Sequence, residues 1–134
     1  MTTDAAARPR RRVALAVLAA TTVAVGLVSR ALPDGVPRDV LGDALYAVLI
    51  YLIAAFVVPR ARWWLLMVAT VAVCTGIELF QLTGLPLGWT ADVPAVSLVL
   101  GEEFAVRDIV VYAIAAVAAS VVDLGVRTAW ARRG

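Results

Sequence analysis

The chain has no histidine and no lysine, and its single cysteine is Cys74. Each absence removes a chemistry. Without histidine neither a Ser-His-Asp triad nor a zinc site of the usual Cys/His kind can be built, and one cysteine cannot close an internal disulfide. Cys74 lies in an apolar run with no cation nearby to stabilise a thiolate, so it reads as a small packing residue rather than a nucleophile. Acid–base chemistry, if there is any, falls to carboxylates and tyrosines. No metal and no cofactor is expected.

Polar residues are also scarce. Of 134 residues, 63% are hydrophobic, and the mean hydropathy is +0.92, well above the roughly half-apolar composition of soluble domains. A water-soluble core is the wrong picture; lipid is the solvent. Four apolar segments are long enough to cross a hydrocarbon layer of ~30 Å at ~1.5 Å per residue. They run from Val13 to Leu32, Leu41 to Val58, Trp63 to Leu82 and Ile109 to Val126. Only helices fit, because four segments cannot close a barrel. The first, preceded by RPRRR, also has the outline of a cleaved signal peptide. It is long for that role and ends in VSRALP without a small-x-small cleavage site, so it reads as a retained span.

The expected fold is an all-α membrane protein with four transmembrane helices and a short interfacial or re-entrant helix between the third and fourth. Residues 13–128 form the single membrane domain, flanked by basic tails at 1–12 and 129–134. The short helix is placed in GLPLGWTADVPAVSLVLGEEF, which is too long for a turn. Asp92 would cap a helix from Val93 to Leu100, ended by Gly101. Eight residues span only ~12 Å, too little to cross.

Arginines set the orientation. Arg8, Arg10, Arg11, Arg12, Arg60, Arg62, Arg127, Arg132 and Arg133 fall on one side of a four-span arrangement, with Arg30, Arg38 and Arg107 on the other. The positive-inside rule then puts both termini in the cytoplasm and turns Asp34, Asp39, Asp92, Glu102 and Glu103 outward. The basic tail is a topology signal, and no nucleic-acid partner is expected. Trp63, Trp64 and Trp130 form an inner aromatic belt and Trp89 an outer one. Small residues four apart suggest contact faces: Ala16, Ala20 and Ala24 on the first span, Ala115 with Ala119 and Ala116 with Ser120 on the last. Asp123 and Arg127 read as an ordinary i,i+4 helix pair.

The run TGIELFQLTGL, residues 75–85, breaks the apolar pattern. Glu78 lies about 22 Å along the third span from Trp63, in the outer third of a bilayer, and Gln81 follows one turn later. Asp43 and Tyr46 enter the same layer from the second span, Asp108 and Tyr112 from the fourth, and Arg30 closes the first. An ionised aspartate at a span's centre costs roughly 2.5 to 3.5 kcal/mol, less nearer the interface. Glu78 should therefore face the bundle interior and pair with Arg30 or Arg107, or accept bonds from Gln81 and Tyr112. The candidate binding set is Arg30, Asp43, Glu78, Gln81, Asp108 and Tyr112.

The stretches VSR at 28–30, GDALYAVLIY at 42–51, IELFQL at 77–82 and LVLGEEFAVRDIVVY at 98–112 resemble DUF2809, a family of small bacterial membrane proteins of unknown function. That family is similar to VanZ-like proteins, whose pattern also has an E-x-x-Q pair followed by an arginine and an aspartate. The likeness carries Glu78, Gln81 and Asp108 into those positions, with Asp43 and Arg30 belonging to the narrower family. It implies a link to cell-envelope stress and glycopeptide resistance, and a place in the bacterial plasma membrane. One departure is plain: the loop arginine of the VanZ-like pattern has no match in TADVPAV, so anion binding there is not carried over.

Three functions fit the residues. One is non-enzymatic binding of an envelope lipid or glycolipid head group in the outer leaflet, with carboxylates and an amide meeting sugar hydroxyls or cations. Another is an enzyme using Glu78 and Asp108 as an acid–base pair on a lipid-linked substrate, and nothing in the residues fixes the separation such a pair needs. The last is a self-satisfied polar network that fixes helix register without a ligand. Proton passage is disfavoured, because acids confined to one layer give no relay across the membrane.

Overall fold

A computed structural model describes residues 3–96 and 104–132. The expected Gly101 stop, Glu102, Glu103 and Arg133 lie outside the described residues, as do the side chains of Arg8 and Trp130. The described residues are helical: α1 is Thr3–Ser29, α2 Val36–Val57, α3 Trp63–Gln81, α4 Leu85–Asp92 and α5 Val106–Ala131, with a 3₁₀ turn at Pro94–Val96. Four of these, all but α4, are long and apolar enough to cross a membrane. They fit a multi-pass membrane protein.

Local chemistry sets the breaks. Residues 30–35 reverse the chain through Gly35 (φ 154°), and Pro37 in the first turn starts α2. At the other end of α2, Val58 leaves the helical region (φ −118°, ψ 70°) ahead of Pro59, which disfavours a helical residue before it, and the short link 58–62 makes α2 and α3 antiparallel neighbours. Gly84 adopts the left-handed conformation (φ 72°) that ends α3's trajectory, and Pro86 begins α4. The short helix is thus as long as expected but lies earlier in the chain. Asp92 ends it instead of capping one, because Val93, ahead of Pro94, is extended (φ −135°). The expected helix from Val93 to Leu100 is replaced at its start by the 3₁₀ turn, and residues 97–100 lie outside the described residues. A re-entrant path for this segment is not part of the described structure.

The bundle core is built of α2, α3 and α5, which pack on one another, while α1 lies along α2. Its centre is small: Ala47, Ala55, Thr70, Cys74, Ala116 and Ser120 have no exposed surface. In lipid no hydrophobic drive pulls helices together, so close backbone approach through small residues must supply the attraction. Thr70 and Ser120 satisfy their hydroxyls on their own helices, at Leu66 O (2.8 Å) and Val117 O (2.7 Å), and so add no polar cost to the seam. Large apolar side chains such as Val68, Leu79, Ile114 and Val121 point outward, which suits a hydrocarbon solvent.

The contact face expected on the last span is present, since Ala115, Ala116 and Ser120 are buried. That expected on the first is not: Ala16, Ala20 and Ala24 are exposed. The inner stripe of α1 runs instead through Leu15, Ala19, Thr22, Gly26 and Ser29. Steps of four residues advance about 40° beyond a full turn, so a strict four-spaced row spirals off any flat contact, whereas alternating fours and threes stay on it. Replacing Ala116 by leucine should cost about 1–3 kcal/mol through overpacking. The exposed substitution Ile114→Leu should stay within about 0.5 kcal/mol. Unfolding in detergent micelles checks both.

Candidate functional site

The two ends of the bundle differ in charge. At the end away from the termini, helices α2, α3 and α5 each bring carboxyl groups to one layer. Glu78 on α3 faces inward, only 1% exposed. Its Oε1 accepts a hydrogen bond from the Tyr112 hydroxyl at 2.8 Å, and its Oε2 one from the Ala105 backbone N–H at 3.4 Å. Tyr112 in turn lies against Tyr46, with ring centroids 6.3 Å apart. Gln81 is buried one turn beyond Glu78.

Asp43 on α2 is half-buried, within hydrogen-bonding reach of Asp108 and close enough to Glu78 and Arg107 to feel their charges. One Asp43 oxygen, Oδ2, is buried and receives no donor among the described residues. Asp108 is buried and held by its neighbour Arg107, whose Nε and Nη2 both lie 3.1 Å from Oδ1. Arg107 also reaches Asp39 at 4.0 Å, and Arg38 pairs with Asp39 (3.8 Å) and Asp34. This end thus gathers five acids, Asp34, Asp39, Asp43, Glu78 and Asp108, against two cations, Arg38 and Arg107, a formal excess of three negative charges.

Of the six candidate residues, Asp43, Glu78, Asp108 and Tyr112 meet, and Gln81 borders them. Arg30 does not join. It is exposed beyond the end of α1, and no described ion pair involves it. The cause is the seat of α1, which packs along α2 and leaves the α3–α5 seam to other elements. Arg107 supplies the cation instead. Asp39 was not singled out from the sequence; its place in the first turn of α2, facing an arginine across the loop, was the available signal. Among the described residues no group of three or more His, Cys, Asp or Glu side chains has the geometry to hold a metal ion.

The opposite end holds a cluster larger than the expected helix pair. Asp123 takes Arg127 (Nε and Nη2, both 2.8 Å), the Tyr51 hydroxyl (3.0 Å) and Arg11 Nη2 (3.2 Å). Arg11 and Arg127 also donate to the Pro59 and Ala61 carbonyls, both at 3.0 Å, and so tie α1 and α5 to the link between α2 and α3. Tyr51 was the missed signal, since a tyrosine in an apolar helix needs a partner for its hydroxyl. This cluster fastens helices. The Asp123 carboxylate is satisfied within the protein, whereas the two arginines bring more donors than Asp123, Pro59 and Ala61 take up.

A family model described as "Protein of unknown function (DUF2809)" matches residues 32–116. That stretch holds all of the acidic end but not Arg11, Asp123 or Arg127. No curated protein and no solved structure matches the chain. Removing the Tyr112 hydroxyl with phenylalanine should destabilise the fold by about 1–2 kcal/mol. This exceeds the average membrane hydrogen bond of roughly 0.6 kcal/mol because Glu78 is left buried with one donor fewer. Denaturant unfolding of the two proteins in the same detergent measures it.

Proposed function

The chain belongs to the DUF2809 family, and on that premise we propose that it is a non-enzymatic membrane protein that binds the head group of an envelope lipid at its acidic end. The observation that carries this reading is the convergence of Asp43, Glu78 and Asp108 from three helices in a layer where acids outnumber cations. An unbalanced set of acceptors suits a ligand that donates, either an ammonium group or sugar hydroxyls. The buried Asp43 Oδ2, without a donor among the described residues, is the natural point of contact. Phosphate has less support: Arg30 stands apart, and Arg107 is already engaged by Asp39 and Asp108.

The arginine distribution supports an orientation with both termini in the cytoplasm, which faces the acidic end outward. The likeness to VanZ-like proteins and the link to the cell envelope belong to the same reading. The enzyme alternative is less supported, because both oxygens of Glu78 accept hydrogen bonds and Asp108 is held by Arg107. A general acid or base needs a free path to its substrate.

Titrating the detergent-purified protein with phosphatidylethanolamine and with a glycosyl diacylglycerol tests the reading, since a bound ligand raises the melting midpoint by mass action. At least one of these lipids should raise it, and Asp43→Asn should weaken that binding about tenfold while leaving the lipid-free midpoint unchanged or higher. If Asp43→Asn alters no lipid-dependent shift, the acids serve only as a network that fixes helix register. Glu78→Gln should leave lipid binding largely intact; loss of a lipid-modifying turnover in that variant would instead point to a general acid.

A further inference from the structure

Helix α1 packs on α2 and on no other described helix, with Leu15 and Ser29 its only buried residues among those described. Because α1 does not pack on α5, a groove of about 370 Å³ is left between α1, α2 and α5. Its walls are apolar, formed chiefly by Leu15, Leu18, Val48, Leu52, Ala118 and Val122. Its end nearest the termini is lined by Arg11, Tyr51 and Asp123. At this depth along the spans the surrounding medium is hydrocarbon, and an unfilled groove forfeits dispersion contacts along its walls.

The charge at the polar end has the opposite sign to that of the acidic end. Arg11 and Arg127 share one carboxylate, Asp123, so two cations against one anion leave a formal excess of one positive charge. Arg10, Arg12 and Arg60 nearby are exposed and add to it. Of the five N–H donors on a guanidinium, Arg11 commits Nη1 to Pro59 and Nη2 to Asp123, and others remain for an oxyanion. An apolar slot ending at an under-neutralised arginine matches a molecule with a hydrocarbon tail and a phosphate.

We propose that the groove between α1, α2 and α5 holds an acyl chain of an anionic phospholipid from the leaflet on the side of the termini, with its phosphate on Arg11 and the neighbouring arginines. This site is separate from the acidic end and takes a ligand of opposite charge. The lipid fills the space between α1 and α5, while α1 itself stays seated on α2 and tied by Arg11.

The full chain in a nonionic detergent can be titrated with dioleoylphosphatidylglycerol and with dioleoylphosphatidylcholine, which share acyl chains and differ in net charge. Melting midpoint and native mass spectrometry are the readouts. Phosphatidylglycerol should give the larger shift, with one molecule retained per chain, and its binding should weaken as salt rises. Ala118→Phe, at an exposed wall position, should lower phosphatidylglycerol affinity at least tenfold with the lipid-free midpoint unchanged. Arg11→Gln should erase the preference between the two lipids, and Asp43→Asn, which weakens binding at the acidic end, should leave it intact, which separates this site from the acidic one. Equal shifts for both lipids, unchanged affinity in Ala118→Phe, or a dimer that retains no lipid and that Ala118→Phe dissociates would overturn the proposal.

Discussion

A carboxyl group enclosed in a hydrocarbon-solvated bundle is the constraint around which this structure is organised. Glu78 is almost wholly buried at its position on α3, and charge at membrane depth is costly unless it is paired or hydrogen-bonded. The Tyr112 hydroxyl and the Ala105 N–H meet that demand, and both come from the start of α5 or the residue before it. Satisfying Glu78 therefore fixes the axial register of α5 against α3. The small-residue seam of Ala47, Cys74, Ala115 and Ala116 then allows the backbones to approach closely enough for those bonds to form.

The two polar ends solve different problems. At the end near the termini, Asp123 collects donors from α1, α2 and α5, while the arginines that reach it also hold carbonyls of the 58–62 link. The Asp123 carboxylate is saturated by protein donors there, while the arginines keep donors over and one positive charge to spare. At the other end acids exceed cations, and two carboxyl groups from α2 and α5 face each other. Saturated groups fasten helices; groups left over, carboxylate oxygens at one end and guanidinium donors at the other, invite something from outside. That difference is the physical ground for assigning a binding role to the acidic end, and for seeking an anion only at the basic one.

Much of this was legible in the sequence. Apolar run length gave the four spans, and the depth of Glu78, Asp43 and Asp108 along them gave the shared layer, because helical rise is nearly constant. What the sequence hid were facts of lateral packing. Arg30 has the right depth for the acidic layer but belongs to a helix on the wrong side of α2. Ala16, Ala20 and Ala24 have the right spacing for a contact face but the wrong azimuth. Depth is one-dimensional and can be counted, whereas azimuth depends on which helices touch, which no single span encodes. The short helix was misplaced for a different reason: Gly84 and Pro86 together form a stronger start signal than Asp92, and Pro94 forces the residue before it out of the helix.

The most direct test is chemical proximity across the α2–α5 seam. In a Cys74→Ser background, cysteines replacing Asp43 and Asp108 should be joined within one chain by a short bifunctional methanethiosulfonate reagent. The same reagent should leave a pair at the positions of Arg30 and Asp108 unlinked. Absence of the first cross-link in folded protein, or equal linking of both pairs, would contradict a meeting of acids from separate helices in one layer.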